Sequence, residues 1–544
     1  MPFDLGALCE LCGEISRLIQ QDPRPPSELP SIARSASIIA LGNIASRVLG
    51  LVRETVKAHL FGASGQVDAL NVALILPIQI YELVTGGIVN SALVPVFSDY
   101  TAPERRAELW RLASTLLTLL TLVLVVLLGG LEFFTPLAAR VVGGGLDAPT
   151  LELTAALLRI TLPAVLFLSL SGIVSGLLYS LKRFALPAFT AAVFNAAMVV
   201  CALALAARWG VRGMAAGLFV GAVMQLAVQF PALRDARFRI AFNFNHPGLR
   251  RIFRLYLPII FGLLITQASI YIGLNLASRT GEGGIAWMGY ATYIYQFPLG
   301  LVATALSFAI LPTLSRQAGS ENGDFKNTLV QGLNLVIILI VPAAVGLFAL
   351  ARPIVAVLYQ RGQFTAADTA QTALVLQLFL LGLSFAAVDQ MMIFAFYARK
   401  DTLTPSMVGV VSVAVYLIAA LALIKPFGLF SLMIADSLKQ MAHALVTGYL
   451  LSRRIGGFWR TPLIPTVFKT LAASALTGLV AALALTLVDR LALPANFFTR
   501  ALAVLFPTTL ALAVYALALS RLRVPEYQLL VSSIASRLSR IAYR

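Results

Sequence analysis

LYSLKRFALP, residues 178–187, and FYARKDTLTP, residues 396–405, resemble each other and lie 218 positions apart. The same offset, or one residue less, recurs at two other places. The matched residues are Tyr179 with Tyr397, Pro187 with Pro405, Gly210 with Gly428, and Pro95 with Pro312. Short apolar strings match easily by chance, but a nearly constant offset at separate places indicates an internal repeat. We therefore expect two similar units, one after the other.

The composition places both units in a membrane. Of the 544 residues, 59% are hydrophobic and only 12% are charged, and the mean hydropathy is +0.87. A soluble globular protein of this length does not have such a composition, whereas a polytopic membrane protein requires it. The sequence therefore predicts an all-α polytopic membrane protein.

At about 20 residues per crossing, we expect fourteen transmembrane helices. Their centres lie near residues 46, 82, 122, 166, 196, 222, 264, 300, 338, 382, 414, 440, 476 and 509. Each repeat holds six spans. Because six is an even number, the two units enter the membrane in the same sense. Parallel repeats of this kind occur in secondary transporters, whose substrate sites lie between the two halves. The predicted divisions are a tail at 1–32, an N-lobe at 33–240, a C-lobe at 241–456, two further spans at 457–522 and a tail at 523–544.

The net charge of +17 follows the turns between spans. The basic residues do not form one continuous face, which argues against nucleic acid as a partner. The turns after even-numbered spans are the richer ones and include Arg105, Arg106, Lys182, Arg183, Arg250, Arg251, Arg399, Lys400, Arg453 and Arg454. The positive-inside rule therefore predicts that these turns and both termini are cytoplasmic.

The two tails carry weaker signals. Residues 1–32 have mixed charge, are Pro-rich and lack the apolar core of a secretory signal, so we interpret them as a cytoplasmic tail. Their Cys9 and Cys12 are too few ligands for a zinc site, and we expect no metal and no cofactor. In the other tail, apolar residues recur at helical spacing beside arginines, which favours an amphipathic helix on the inner leaflet over a solvated tail.

The first span, NIASRVLGLVRETVKAHLFG at 43–62, contains Arg47, Arg53, Glu54 and Lys57. A charge at the centre of a membrane helix costs about 2.5 to 3.5 kcal/mol on insertion scales, so such residues usually face a protein interior or a wet cavity. Residues seven apart lie almost on one helix face, so Arg47 and Glu54 share a stripe, and Arg53 and Lys57 share another. The four charged side chains therefore cover a wide sector of the helix surface.

Several segments resemble the MurJ/MviN proteins, the bacterial lipid II flippases of the multidrug/oligosaccharidyl-lipid/polysaccharide exporter superfamily. They are SRVLGLVRE (46–54), VDALNVALILP (67–77), ALVPVFSDY (92–100), FPLGLVATALSFAILPTLSR (297–316), LYQRGQFTAAD (358–368) and FYARKDTLTP (396–405). The resemblance implies a non-enzymatic flippase in the bacterial cytoplasmic membrane. It would move a polyprenyl-pyrophosphate-linked disaccharide-peptide, lipid II, to the outer leaflet by alternating access of two six-helix lobes. It also implies a lipid-tail groove in the last two spans, and cell-wall synthesis proteins as further candidate partners.

By motif position, the resemblance implies that Arg47 and Arg53 line a central cationic cavity, with Glu54 and Asp68 as the matching acids. Arginine suits a pyrophosphate, because its planar fork donates paired hydrogen bonds to phosphate oxygens. Lys57, Tyr81, Tyr293 and Gln296 complete the candidate substrate-binding set, since hydroxyl-bearing rings suit sugars.

The sequence also departs from the family pattern. Tyr81 and Gly86 stand where relatives carry an arginine and a glutamate in the second span, and Thr292, Tyr293 and Gln296 replace charged residues in the eighth. The acids that hold sodium in some relatives, in the seventh and eleventh spans, have no counterpart here.

Each candidate has a structural alternative. Arg47 and Arg53 would then pair with Glu54, Asp68 or Glu82, Lys57 would extend to the membrane interface, and the tyrosines would be ordinary packing. Asp389 and Asp436 lie in apolar spans, and they are candidates either for proton coupling or for hydrogen bonds to Gln390, Lys439 or Gln440.

Three other functions compete with lipid II transport. A membrane glycosyltransferase needs acids or a metal at a reaction centre, whereas His59, His246 and His443 are scattered. A multidrug exporter of lipophilic cations should have an acidic cavity, whereas the first span is net basic. An exporter of another polyprenyl-pyrophosphate-linked glycan stays open, because charges are lost from the second and eighth spans.

Overall fold

The computed structural model describes residues 29–243, 245–319, 323–457, 462–491, 494, 496–528 and 531. Over these residues every regular element is a helix, which confirms the all-α prediction. Cys9, Cys12 and the rest of the N-terminal tail to residue 28 lie outside the described residues. The same holds for most of the predicted amphipathic tail at 523–544.

The described chain divides into two compact units. The first unit runs to Ala286 and also includes Arg361–Phe364, and the second unit comprises Trp287–Gln360 and the chain from Thr365 onward. The helices, in chain order, are α1 (Leu29–Phe61), α2 (Gly65–Thr85), α3 (Val94–Ser98), α4 (Arg106–Phe133), α5 (Thr135–Gly143), α6 (Ala148–Thr161), α7 (Ala164–Ser180), α8 (Ala185–Trp209), α9 (Val211–Ala227), α10 (Pro247–Ser278), α11 (Gly284–Pro298), α12 (Ala305–Gln317), α13 (Asp324–Ala349), α14 (Ala351–Tyr359), α15 (Ala366–Ala398), α16 (Leu403–Phe427), α17 (Phe430–Arg454), α18 (Leu463–Arg490) and α19 (Phe497–Arg521).

The first unit is larger than the N-lobe predicted at 33–240, because α10 packs within it. Leu249, Ile252 and Tyr256 of α10 belong to one buried apolar cluster with residues of α4 and α7. The Tyr256 hydroxyl also donates to the Leu83 carbonyl at the end of α2. The lobe boundaries deduced from the repeat stay a prediction.

Ten of the described helical stretches are long and apolar enough to cross a membrane, and two bent pairs raise that number to twelve. The pairs are α6 with α7, bent by 40°, and the two halves of α10, Pro247–Leu257 and Gly262–Ser278, bent by 51°. The helices α1 and α17, with 33 and 25 residues, are also long enough to cross a membrane, but both carry several charged side chains. Counting them as spans would give the predicted fourteen, which stays a prediction.

Two spans contain a π-helical segment, at Val89–Leu93 before α3 and at Leu299–Thr304 before α12. Pro95 and Pro298 lie close to these segments. Proline has no amide donor, and its ring clashes with the preceding helical turn, so the regular hydrogen-bond ladder is interrupted near each of these residues. The second and eighth spans, which correspond in the repeat, are both irregular helices.

The backbone repeats along with the sequence. Lys182 and Lys400 each end a helix in the left-handed region, at φ 58° and φ 61°. Gly210 and Gly428 also adopt matching angles, φ 54°, ψ −136° and φ 52°, ψ −128°. The repeat-related positions therefore share their backbone geometry, with one copy in each unit.

Candidate functional site

Arg53, Glu54 and Lys57 of α1 form one ion cluster, which we call the α1 cluster. Arg53 donates to Glu54 Oε1 from Nε at 3.1 Å and from Nη2 at 2.8 Å, and Lys57 Nζ lies 2.5 Å from Glu54 Oε2. One carboxylate thus neutralises one of two cations and leaves a net charge of +1. The side chains of Arg53, Glu54 and Lys57 are only 15%, 6% and 4% exposed. At such burial the positive charge is weakly screened and attracts an anion strongly.

Two asparagines from neighbouring helices hold the cations in place. Asn195 Oδ1 of α8 accepts from Arg53 Nη1 at 3.0 Å, and Asn71 Oδ1 of α2 accepts from Lys57 Nζ at 3.0 Å. The Asn195 amide nitrogen donates to the Ala191 carbonyl at 3.0 Å, which orients the amide. Sequence reasoning missed both asparagines. The signal that would have found them is a single polar residue within an apolar span.

Arg47 lies about 9 Å before Arg53 along the α1 axis, at about 1.5 Å per residue. It is half-buried, and it makes no hydrogen bond or ion pair with any described residue. The guanidinium can therefore bind an incoming anion without first releasing a partner from the described part of the chain.

Asp68 is fully buried and acts as a helix cap. Its Oδ2 accepts from the Gly283 amide at 2.7 Å, and its Oδ1 accepts from the Ala286 amide at 2.8 Å, at the beginning of α11. In return, Glu282 Oε1 accepts from the Gly65 amide at 2.8 Å, at the beginning of α2. Two acids thus cap two helix N-termini reciprocally, where the backbone donors and the helix dipole favour negative charge.

Tyr81 is half-buried on α2, four residues before the helix ends. Beyond it, a Cβ on Gly86 would lie 2.7 Å from Glu82 Oε2, so the Glu82 carboxylate folds against the glycine backbone. Gly87 follows at φ 78°, and the π-helical segment comes next. The regular α-helix of the second span is therefore interrupted at the glycine pair.

Tyr293 and Gln296 belong to the second unit. On α11, Tyr290 and Tyr295 are buried, whereas Tyr293 is half-buried and Gln296 is exposed. The Tyr290 ring packs 4.9 Å from the Tyr359 ring. Sequence reasoning grouped these residues with the charges of α1, which belong to the first unit, and this grouping stays a prediction.

The two acids of the apolar spans have specific partners. Asp436 pairs with Lys439 at 2.5 Å, one of the alternatives we considered. Asp389 pairs with His443, a histidine that the sequence analysis treated as scattered. Among the residues that the structure describes, no three His, Cys, Asp or Glu side chains come close enough to hold a metal ion.

Comparisons with known proteins match this architecture. The family model of the lipid II flippase MurJ matches residues 57–517. The chain is 31% identical over 421 residues to the probable lipid II flippase MurJ of Vibrio cholerae serotype O1, which covers 75% of this chain and 80% of that protein.

Two solved structures share the fold. The lipid II flippase MurJ in its inward closed conformation matches with a TM-score of 0.75 at 22% identity, covering 89% of this chain and 99% of that one. An inward-facing MATE family multidrug resistance transporter of the MOP superfamily matches with a TM-score of 0.63 at 14% identity, covering 82% and 98%. The family predicted from the sequence motifs is confirmed, and this chain belongs to the lipid II flippase MurJ family.

Proposed function

We propose that this protein moves lipid II from the inner to the outer leaflet of the bacterial cytoplasmic membrane by alternating access, without catalysing a reaction. The family model and the relative from Vibrio cholerae, both described as lipid II flippases, support this proposal. The cargo carries a pyrophosphate between its polyprenyl tail and its sugar, and a carrier must hold that dianionic group away from water.

The observation that carries the proposal is the net charge of the α1 cluster, together with Arg47, which has no hydrogen-bond or ion-pair partner among the described residues. A pyrophosphate binds first to the Arg47 guanidinium, which gives up no partner within that part of the chain. Arg53 contributes the second fork, in an orientation fixed by Glu54 and Asn195. Lys57 is the most buried of the three side chains, so its part is to set the positive field rather than to contact the cargo.

The other candidate residues divide between cargo and scaffold. Tyr81, Tyr293 and Gln296 retain exposed or half-buried polar groups, so we assign them to the sugar and peptide of the cargo. Both oxygens of Asp68 are occupied by backbone amides, so we assign Asp68 to the scaffold and not to cargo binding.

We further propose that α18 and α19 form the groove for the polyprenyl tail. Both helices expose rows of large apolar side chains, including Leu476, Leu479 and Leu483 on α18 and Leu505 and Leu512 on α19. Such faces suit contact with lipid chains.

Both termini lie in the cytoplasm in this proposal, as the loop charges indicate. In a protein without its native cysteines, a cysteine at the exposed Gln66 should react with an impermeant reagent in intact cells. A cysteine at the exposed Arg234 should react only after permeabilisation. The reverse pattern would invert the assigned direction of transport.

The functional test is rescue of a cell depleted of its own lipid II flippase. The wild-type protein should restore growth, and Arg47→Ala should not, although it is produced and inserted normally. Arg208→Ala, which removes an exposed arginine at the end of α8, is the control and should rescue. Rescue of a surface-polysaccharide flippase mutant instead would favour the alternative cargo, another polyprenyl-pyrophosphate-linked glycan.

A further inference from the structure

Asp389 of α15 and His443 of α17 form a buried titratable pair apart from the α1 cluster. Asp389 Oδ1 lies 2.8 Å from His443 Nδ1, and Thr447 Oγ1 lies 3.2 Å from the same nitrogen. The aspartate side chain is 8% exposed and the histidine side chain is 12% exposed.

The pair lies deep within its helices. Asp389 is nine residues before the end of α15 at Ala398, and His443 is eleven residues before the end of α17 at Arg454. At 1.5 Å per residue these separations correspond to about 14 and 17 Å, roughly half of a 30 Å hydrocarbon core. A charge that changes there lies within the membrane potential, and ionisable groups at such depth are costly to keep.

The internal repeat shows that packing alone does not require a titratable pair. The positions 218 residues earlier are Ser171, Gln225 and Gln229. Gln229 Nε2 donates to Ser171 Oγ at 2.7 Å, and Ser171 Oγ donates to the Gln225 carbonyl at 3.4 Å. In the first unit, neutral side chains thus connect the helices that correspond to α15 and α17.

Tight packing holds the two helices together beside the pair. A Cβ on Gly382 of α15 would lie 2.9 Å from Ser437 Cα of α17, and Ser437 Oγ donates to the Leu378 carbonyl at 2.7 Å. A change of charge between Asp389 and His443 therefore acts on a close helix contact rather than on a loose one.

We propose that Asp389 and His443 form a proton-binding site that couples transport to the proton gradient, an inference that rests on the proposed flippase function. With the proton bound, the carboxylate faces an imidazolium and the pair is neutral overall. When the imidazolium releases its proton to water, the carboxylate faces a neutral ring and the pair carries a charge of −1. The conformation of α15 and α17 that stabilises one state differs from the one that stabilises the other.

Tyr397 on α15 interacts electrostatically with Asp389. Other titratable groups on α17 and on neighbouring helices include Lys439 paired with Asp436 on α17, Tyr416 on α16, Tyr295 on α11 and Tyr359 on α14, whose hydroxyl donates to the Tyr290 carbonyl. Residues 327–349 of α13 and 299–315 contain no acid, base, tyrosine or cysteine. From α16, Gly409 faces the imidazole, since a Cβ there would lie 3.9 Å from His443 Nε2.

The first measurement follows the proton itself. In full-length protein reconstituted into lipid nanodiscs, ¹⁵N NMR of the imidazoles reports protonation, and His443→Gln identifies the His443 signal among the three histidines. We expect His443 to change between neutral and charged forms between pH 5 and 9. A signal that stays in one form throughout this range would overturn the proton site, whatever cargo the protein carries.

The second measurement is lipid II transport in proteoliposomes with and without a gradient of one pH unit. A single coupled proton changes the equilibrium cargo ratio up to about ten-fold for such a gradient. The double variant Asp389→Ser with His443→Gln carries the residues found at the equivalent positions of the first unit. Its lipid II transport rate should be the same with and without the gradient, so that the ratio of the two rates falls to about one. Asp389→Asn and His443→Gln serve as single variants should the double variant fold poorly.

Ser171→Ala, in the neutral counterpart, is the matched control and should keep the wild-type ratio. An unchanged gradient response in the double variant, or stimulation by sodium alone at fixed pH, would overturn the coupling. If the wild-type protein moves no lipid II at all, the proposed function fails, and the NMR titration still decides the proton site.

Discussion

Arg53 and Lys57 share the carboxylate of Glu54, so at the scale of single residues the acid determines whether two buried cations can coexist. The amide oxygens of Asn195 and Asn71 accept one hydrogen bond from each cation but supply no negative charge. Without Glu54, two positive charges would face each other with little solvent screening. Glu54 therefore stabilises the site, and in our proposal the surplus charge of the cluster binds the cargo.

Glu54→Gln tests this stabilising role. Removing one partner from a buried ion pair costs about 3 to 5 kcal/mol, because it leaves an uncompensated charge. We expect a loss of unfolding free energy of this order, measured by thermal or denaturant unfolding in detergent. Glu108→Gln is the control, since Glu108 pairs with Arg105 at 3.1 Å but both side chains are about half exposed, which limits the loss to about 1 kcal/mol. Equal losses in the two variants would contradict the description of the α1 cluster as buried and interdependent.

At the scale of helices and loops, the two halves of the repeat form the same ion pair with the charges exchanged. Arg183 binds Asp235 in the first unit through two hydrogen bonds at 2.6 and 3.0 Å. In the second unit Asp401 occupies the position equivalent to Arg183, and it binds Arg454, one residue beyond the equivalent of Asp235. Both units thus have an ion pair at these corresponding turns, with the acid and the base exchanged.

Exchanging the charges of the first pair tests this equivalence. Arg183→Asp alone places two carboxylates together and should lower the unfolding free energy by about 1 kcal/mol or more. Adding Asp235→Arg should recover most of that loss, because it reproduces the arrangement of the second unit. A double-mutant cycle on thermal unfolding measures the recovery. No recovery would mean that the hydrogen bond from Arg183 to the Ala232 carbonyl, rather than the ion pair, stabilises the turn.

The second pair predicts a dependence on pH. Burial alone would raise the pKa of Asp401, but hydrogen bonds from Thr404 and the guanidinium of Arg454 outweigh burial and lower the pKa below its ordinary value of 3.8. A carboxyl with a lowered pKa in the folded state contributes stability above its unfolded pKa and loses it as the pH falls through the folded pKa. Asp401→Asn should therefore cost up to about 1 kcal/mol at pH 7, since Arg454 is 45% exposed, and little at pH 3. A cost that persists unchanged at pH 3 would rule out the charged form as its source.

Much of this architecture could be predicted from the sequence, because hydropathy and repetition act over long windows. The all-α membrane fold and the family were both predicted and are confirmed, and two pairs of repeat-related positions adopt matching backbone angles. The partners of the charged residues could not be predicted. Asn195 lies 142 residues from Arg53, and Gly283 lies 215 residues from Asp68, so only the packing of separate helices brings them together.

At the scale of the whole molecule, the family and the cluster lead to one central claim. The charges of the first span, costly in a membrane, are kept because they bind a pyrophosphate. The α1 cluster of the first unit serves the cargo in our proposal, and the Asp389–His443 pair of α15 and α17 in the second unit serves the proton. These charges also make α1 and α17 less apolar than the other spans.

The most direct test of this claim is the binding of purified lipid II to Arg53 variants, with folding followed by thermal unfolding of the same samples. A hydrogen bond to a charged group contributes about 1.5 to 3 kcal/mol, so Arg53→Ala should lose roughly ten-fold or more in affinity. Arg53→Lys keeps the charge but loses the fork, and it should lie between alanine and wild type. Arg208→Ala should bind as wild type does. A folded Arg53→Ala protein that binds lipid II as tightly as wild type would contradict the claim that this arginine is in the membrane to hold phosphate.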